Sequence, residues 1–270
     1  MTISDLQNKK KQGKKITLLT AYDYPSANLI EKAGIDIILV GDSLAMSVLG
    51  YESTVDVTMD EMIHHAKAAR RGARNTFLVG DMPLKGCNAS VGETVKNAAR
   101  FINEAGCNAV KLEGAQVMLD KIKAIIKSGI SVMGHVGLTP QTAGDFKVQG
   151  KDAQAAQKII NDAKLLEKTG VFSVILECIP DALADIITKK LNIPTIGIGA
   201  GVHCDGQALV TNDLLGLFDK FTPKFVKRYA NISEGMLEAF KAYKQEVEDL
   251  KFPAREHSFT MNKEEVEKLI

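Results

Sequence analysis

Short apolar runs rich in β-branched residues alternate along the chain with longer amphipathic segments. The runs have the length of buried strands, and the segments between them repeat their apolar positions with the period of a helix. This alternation is typical of parallel strands joined by helices. We predict eight strands, of which the last is the weakest: Ile16–Tyr22, Ile35–Asp42, Thr76–Asp81, Ala109–Glu113, Ser131–Val136, Phe172–Cys178, Pro194–Gly199 and Ala208–Thr211.

The segments between the strands carry helix start and stop signals. Thr58 is followed three residues later by Glu61, which is the spacing of a capping box, and Gly170 follows another segment where a C-cap glycine belongs. The predicted helices are Thr58–Arg71, Val91–Ala105, Ala115–Ser128, Ala153–Thr169 and Ala182–Leu191.

Eight strands alternating with helices over about 250 residues predict a (β/α)8 TIM barrel, with a doubly wound open sheet as the rival arrangement. We favour the barrel. No linker or low-complexity stretch divides the chain, so we expect one barrel domain over residues 1–259, followed by a polar extension of unknown role over residues 260–270.

Composition narrows the function classes. The 34 Lys and Arg residues nearly balance the 33 Asp and Glu residues, so nothing favours a nucleic-acid partner. No apolar run approaches the roughly 18 residues that cross a bilayer, and the lysine-rich N-terminus lacks the apolar region of a signal peptide. The four cysteines are widely spaced and form no CxxC pair. We therefore expect a cytoplasmic protein with neither a membrane nor a nucleic-acid partner.

Nearly every predicted strand ends in a polar or ionisable side chain. The carboxyl ends of barrel strands converge on one face, so these residues should line one pocket. Asp23, which follows the first strand, is the exception, because a single Asp at that point is most often a helix cap. The remaining strand-end residues are Asp42, Ser43, Asp81, Lys111, Glu113, His135 and Glu177.

Three of these residues, Asp42, Asp81 and Glu113, suggest a metal site. Carboxylates brought close together repel one another unless a cation or a proton lies between them. With oxygen ligands only, Mg²⁺ is preferred over zinc. The alternative is that the carboxylates pair with Lys or Arg, as buried acids in barrels also do.

The other strand-end residues each leave two interpretations open. Lys111 is either a Schiff-base nucleophile or, as we prefer, a cation that holds a substrate carboxylate. His135 is either a satisfied buried histidine or a polar contact to the substrate. Glu177 ends an apolar run and suits proton transfer, or else it is the partner of a nearby lysine. The glycine-rich stretch 197–201 lacks the GxGxxG spacing, so we interpret it as a tight strand end where a ligand approaches the backbone.

Seven segments, in order and correctly spaced, make the chain from Thr2 to Phe259 closely resemble the ketopantoate hydroxymethyltransferase family. The set is far more specific than any one segment. They are Val40–Leu44 (VGDSL), Gly80–Pro83 (GDMP), Val110–Gly114 (VKLEG), Gly134–Pro140 (GHVGLTP), Leu176–Cys178 (LEC), Ile196–Gly201 (IGIGAG) and Cys204–Gln207 (CDGQ).

This resemblance implies a Mg²⁺-dependent barrel of the phosphoenolpyruvate/pyruvate-type superfamily. The implied enzyme transfers a hydroxymethyl group from methylenetetrahydrofolate to 3-methyl-2-oxobutanoate (α-ketoisovalerate) through a Mg²⁺-stabilised enolate, giving ketopantoate for pantothenate biosynthesis. It also implies a cytoplasmic homodecamer. The implied roles are metal binding by Asp42, Asp81 and Glu113, proton abstraction by Glu177, and substrate binding by Asp42, Ser43, Asp81, Lys111 and His135.

The chain departs from the family pattern at a few places. The loop over residues 141–150 is shorter than in many members, Ala45 replaces a common glycine, Asn212 stands where a histidine is usual, and residues 260–270 extend beyond the usual end. Two rivals remain: a Mg²⁺-dependent lyase of the isocitrate lyase and phosphoenolpyruvate mutase type, and a non-catalytic barrel that binds a metabolite. The lyases typically carry a catalytic cysteine motif that this chain lacks, and the intact set of site residues opposes the non-catalytic barrel.

Overall fold

The computed structural model describes residues 1–142, 147–218 and 221–270. Within these residues, eight parallel strands pair in chain order, and β1 pairs with β8 to close the barrel. The predicted TIM barrel is therefore confirmed, and the open sheet is excluded. The strands are β1 (Ile16–Thr20), β2 (Ile37–Val40), β3 (Phe77–Asp81), β4 (Ala109–Lys111), β5 (Val132–Gly137), β6 (Ser173–Glu177), β7 (Thr195–Ile198) and β8 (Gly206–Leu209).

Most of the larger helices follow the strands and surround the barrel. The α-helices of the described residues are α1 (Ile3–Lys11), α2 (Tyr24–Lys32), α3 (Leu44–Ser47), α4 (Met59–Gly72), α5 (Leu84–Cys87), α6 (Val91–Asn103), α7 (Leu119–Lys127), α8 (Ala153–Thr169), α9 (Asp181–Lys190), α10 (Thr211–Leu214), α11 (Ile232–Glu248) and α12 (Lys263–Glu267). Among these residues, none of the helices combines the length and the apolar character required to span a membrane.

Local signals place several of these elements where the sequence predicts them. The Thr58 hydroxyl accepts from the Glu61 N–H, and the Glu61 carboxylate accepts from the Thr58 N–H, so the capping box before α4 is confirmed. Helix α8 has the predicted bounds and ends at Gly170, whose φ of 98° is in the left-handed region. Strand β8 begins two residues earlier than predicted. It begins at Gly206, where a Cβ would lie 2.5 Å from the carbonyl oxygen of Ile16.

Helix α1, near the N-terminus, was not predicted from the sequence pattern. Its one fully buried side chain, Leu6, packs among the apolar side chains of the barrel interior. Lys9 and Lys10 of the same helix bind Asp36 and Asp205, which directly precede β2 and β8. Helix α1 therefore covers the amino-terminal end of the barrel.

The C-terminal part of the chain is far more exposed than the barrel. Helix α11 has 17 residues, and none of them is buried. Its apolar side chains recur at helical spacing, and Phe240 near its centre is 62% exposed. The exposed series is Ile232, Met236, Phe240, Tyr243 and Val247. The domain boundary at residue 259 stays a prediction.

Candidate active site

The strand-end residues lie together at the carboxyl-terminal face of the barrel, where parallel strands converge. Asp42 follows β2, Asp81 and Lys111 end β3 and β4, and Glu177 ends β6. The register pairs Asp81 with Lys111 across neighbouring strands, which brings their side chains together. The predicted convergence of these residues is therefore observed.

Lys111 forms the central ion pair of the site. Its Nζ lies 2.8 Å from both carboxylate oxygens of Asp81 and 3.5 Å from Oε1 of Glu113. Burial lowers the pKa of Lys111, but the charges of the surrounding carboxylates outweigh that effect and raise the pKa above the usual lysine value. A lysine held as a cation is a poor nucleophile, so this arrangement disfavours the Schiff-base interpretation.

His135 lies between two carboxylates on neighbouring strands. Nδ1 is 3.4 Å from Oε1 of Glu113, and Nε2 is 3.2 Å from Oε2 of Glu177, although neither contact has the angles of a hydrogen bond. Burial lowers the pKa of His135, but Glu113 and Glu177 outweigh it and raise the pKa to about 9. Burial likewise raises the pKa of Glu113, yet Lys111 and His135 lower it to about 2. This arrangement favours a charged imidazolium.

Asp42 is the least compensated acid of the site. Its own N–H donates to Oδ2 of Asp81 at 3.3 Å, which holds the two residues close together. Burial raises the pKa of Asp42 well above its usual range, and the negative charge of Asp81 adds to this effect. Burial also raises the pKa of Asp81, although Lys111 opposes the rise. The site therefore favours a proton or a cation next to these two carboxylates.

The donor set fits a hard divalent cation. Among the described residues, Asp81, Glu113 and Glu177 form ion pairs only with Lys111 and His135, and Asp42 forms none, so four carboxyl groups outnumber two basic groups. No group of three His, Cys, Asp or Glu side chains in that part of the chain forms a ready-made chelate. Mg²⁺ does not require one, because it commonly takes one or two carboxylates and completes its shell with water and substrate.

Gln141 is a buried site residue that the sequence interpretation missed. Its Nε2 donates to Oδ2 of Asp42 at 2.9 Å and to the carbonyl oxygen of Met82 at 3.0 Å, and its backbone N–H donates to Oε2 of Glu113 at 3.1 Å. Gln141 lies in the loop after β5. The only structural signal at the start of this loop is the turn at Thr139 and Pro140. No pattern in a single sequence distinguishes it from an ordinary loop glutamine.

Ser43 lies beside the acids, at the start of α3. Its hydroxyl is 2.9 Å from the hydroxyl of Tyr22, and the side chain remains half-buried rather than sealed. Burial raises the pKa of Tyr22 to about 12. This neutral pair borders the charged cluster on the side of β1 and β2.

Two other sequence interpretations have definite outcomes, and the shortened loop is only partly described. Asp23 caps α2 by accepting from the N–H of Ser26 at 2.8 Å, as predicted. At Gly199 and Gly201, a Cβ would lie within 3 Å of Phe225 and Asp181 respectively, so the close approach there is made by the protein itself. Of the shortened loop, residues 143–146 lie outside the described residues.

Comparison with known proteins shows the family of this chain. The profile of the family described as ketopantoate hydroxymethyltransferase matches residues 1–255. The chain belongs to this family. A 3-methyl-2-oxobutanoate hydroxymethyltransferase from Syntrophomonas wolfei subsp. wolfei is 53% identical over 100% of this chain and 99% of its own length. A relative of the same name from Desulfitobacterium hafniense is 55% identical over 99% and 98%. This chain is therefore an enzyme, a hydroxymethyltransferase.

Solved structures support the fold. A 2,3-dimethylmalate lyase of the PEP mutase/isocitrate lyase superfamily has a TM-score of 0.60 and covers 99% of this chain and 97% of its own. Its sequence is 14% identical to this chain, so the likeness concerns the barrel alone. This chain and that lyase therefore share the barrel fold.

Proposed function

We propose that this enzyme transfers a hydroxymethyl group from methylenetetrahydrofolate to 3-methyl-2-oxobutanoate, giving ketopantoate for pantothenate biosynthesis. The names of its relatives support the acceptor. The observation that carries the proposal is the buried acidic cluster, in which Asp42 and Asp81 lie next to each other beside one cationic lysine. Such a cluster suits a 2-oxo acid bound through a divalent cation.

The proposed metal site is lined by Asp42, Asp81 and Glu113, of which one or two would bind Mg²⁺ directly while water and substrate complete its shell. Burial, together with the negative charge of Asp81, raises the pKa of Asp42, and this supports a cation at the site. A bound Mg²⁺ would supply a Lewis acid that stabilises the negative charge developing on the keto oxygen of the substrate when its C3 proton leaves.

Lys111 and Ser43 would hold the substrate. Lys111 is charged and fixed by Asp81, so it offers a preset contact for a substrate carboxylate. The half-buried Ser43 hydroxyl is oriented by Tyr22 and can donate to a substrate oxygen. His135 lies between Glu113 and Glu177, which suits it to orient both carboxylates and to contact the substrate.

Glu177 would be the base. Its side chain is 15% exposed, unlike the sealed acids around Lys111, so a substrate proton can reach it. His135 Nε2 lies 3.2 Å from Oε2 of Glu177, which places the imidazole beside the carboxylate. Glu177 would take the C3 proton, and C3 would then bond to the methylene carbon of the folate. Both bonds from that carbon to the folate nitrogens would break, and water would supply the hydroxyl group. The proton held by Glu177 and the other proton of the water would go to those nitrogens, releasing tetrahydrofolate.

A homodecamer in the cytoplasm completes the proposal. The exposed apolar side chains of α11 support self-association, because an apolar stripe this long is stabilised when another surface covers it. Light scattering after size exclusion tests it. Wild type is expected to elute as ten chains, and Phe240→Asp as smaller species. A monomeric wild type would contradict the assembly.

Product formation tests the reaction itself. The full-length enzyme is incubated with 3-methyl-2-oxobutanoate and methylenetetrahydrofolate, with Mg²⁺ or with EDTA, and ketopantoate is measured by mass spectrometry. We expect product with Mg²⁺ and almost none with EDTA. Absence of product from folded enzyme that binds Mg²⁺ would overturn the proposed reaction, and equal product in EDTA would overturn the metal dependence.

A further inference from the structure

Gln141 is far more buried than its neighbours in the loop after β5. Its side chain is 5% exposed, whereas Thr139 and Pro140 are half-buried and Thr142 is exposed. Burying an amide is costly unless its polar atoms are hydrogen-bonded. Gln141 is therefore held in the site by specific contacts, not by loop packing alone.

Those contacts link the ends of three strands to the loop after a fourth. The two Nε2 hydrogens are used on Asp42, which follows β2, and on the carbonyl of Met82, which follows β3. The backbone N–H is used on Glu113, beyond β4. One residue thus contacts two of the three acids assigned to the metal site.

The chemistry of these contacts requires an amide. Both partners of Nε2 are acceptors, so the reversed orientation would place the amide oxygen against a carboxylate and a carbonyl oxygen. A carboxylate at this position would meet the same repulsion. An apolar side chain of equal length would fill the space but leave Oδ2 of Asp42 without this donor.

The contacts of Gln141 occupy particular carboxylate oxygens. Gln141 engages Oδ2 of Asp42 and Oε2 of Glu113, while Oε1 of Glu113 faces Lys111 and His135. Without the side-chain amide, the Asp42 carboxylate loses this hydrogen bond and is free to rotate. Groups that orient metal-binding carboxylates in this way commonly change the metal affinity 10- to 100-fold when they are removed.

We propose that Gln141 is a positioning residue that orients Asp42 for divalent-cation binding and ties the loop after β5 to the acidic cluster. This inference rests on the proposed function, because that function supplies the cation. It adds a residue to the site and assigns the first part of the loop a role in metal affinity.

Gln141→Met tests this role, with Gln157→Met as its matched control. Methionine keeps the length of the side chain but donates no hydrogen bond, and Gln157 is exposed on α8, where it donates to Asn161. Mg²⁺ affinity is measured by titration calorimetry on EDTA-treated, dialysed enzyme, and folding is checked by circular dichroism. We expect Gln141→Met to weaken Mg²⁺ binding about 10- to 100-fold, and Gln157→Met to match wild type.

Steady-state kinetics then distinguish a specific loss of Mg²⁺ binding from a general loss of activity. The Mg²⁺ concentration for half-maximal rate should rise in Gln141→Met. The KM for methylenetetrahydrofolate should stay within about twofold, because the hydrogen bonds of Gln141 go to Asp42, Glu113 and the Met82 carbonyl, at the proposed metal site. If Gln141→Met does not fold, Gln141→Asn replaces it in the same comparison, with the same direction expected.

The outcomes are distinguishable from failure of the proposed function. Unchanged Mg²⁺ affinity in a folded Gln141 variant would overturn the positioning role, even if the enzyme makes ketopantoate. Weakened Mg²⁺ affinity would support the role, even if the wild type makes a different product. A wild type that binds no Mg²⁺ would overturn both the metal site and this inference.

Discussion

The two ends of the barrel differ in how their acidic side chains are paired with basic ones. At the amino-terminal end, Asp36 accepts from Lys9 at 2.5 and 2.6 Å and from the N–H and hydroxyl of Thr17. Asp205 likewise accepts from Lys10 at 2.7 Å and from Thr195. At the carboxyl-terminal end, Asp81, Glu113 and Glu177 share Lys111 and His135, and Asp42 is in none of the ion pairs of the described residues.

This difference separates stability from function. A carboxylate with its own lysine and two short polar contacts stabilises the fold and gains nothing from a ligand. A cluster with excess negative charge lowers the stability of the fold until a cation binds. Such a cluster therefore binds cations. In barrels of this type, the carboxyl-terminal face holds the chemistry and the opposite face contributes stability.

The largest contrast should come from removing a lysine at each end. Lys111→Met leaves the buried Asp81 without its cation and removes the substrate contact, so we expect activity to fall at least about 10²- to 10³-fold and the free energy of unfolding to fall by about 3–5 kcal/mol. Lys10→Met should keep its activity within about twofold and lose about 1–3 kcal/mol. Product assays and urea unfolding measure both. Equal loss of activity in the two variants would contradict the assignment of function to the carboxyl-terminal end and stability to the amino-terminal end.

Neutralising one aspartate at each end sharpens the comparison. Asp42→Asn removes a repelling charge, so the EDTA-treated variant should be as stable as wild type or more stable, while its Mg²⁺ affinity is lost. Asp205→Asn should lose about 1–3 kcal/mol and bind Mg²⁺ normally. Urea unfolding at fixed protein concentration and calorimetry provide the two readouts. A destabilised Asp42→Asn enzyme that still binds Mg²⁺ would contradict this assignment.

The pH dependence of stability gives a smaller effect. Because the pKa of His135 is raised from 6.5 to about 9, its stabilising contribution is complete below pH 6.5 and is lost as the pH rises through 9. In EDTA, the unfolding free energy of wild type should therefore fall across this window, by at most about 1.4 kcal/mol per pH unit from this group. His135→Asn should flatten that slope. An unchanged slope in the variant would mean that His135 does not titrate as proposed.

The sequence predicted the functional end of the barrel far better than the other end. Asp42, Asp81 and Lys111 stand at the ends of apolar runs, and the topology of parallel strands brings such ends together. Asp36 lies inside a predicted strand, and its partner Lys9 is 27 residues away on a helix with only one fully buried side chain. A helix with so little apolar periodicity gives almost no signal, so helix α1 was missed.

Two further features were missed from the sequence because they depend on contacts with distant residues. Gln141 contacts residues up to 99 positions away in the sequence. The residues next to it in the sequence give no signal of these contacts. Strand β8 was placed two residues late, because Gly206 and Gln207 look like a turn while pairing with Ile16 and Thr17 makes them a strand. Tertiary pairing overrides local preference at these positions.

Hydrogen exchange at C3 of 3-methyl-2-oxobutanoate tests the proposed chemistry most directly. The substrate is incubated with Mg²⁺-loaded enzyme in D₂O without folate, and loss of the C3 proton signal is followed by NMR for wild type, Glu177→Gln and the surface control Glu238→Gln. We predict rapid exchange in wild type and in the control, and exchange slowed about 10²- to 10⁴-fold in Glu177→Gln. Exchange in Glu177→Gln as fast as in wild type would show that another group removes the proton, and would contradict the mechanism.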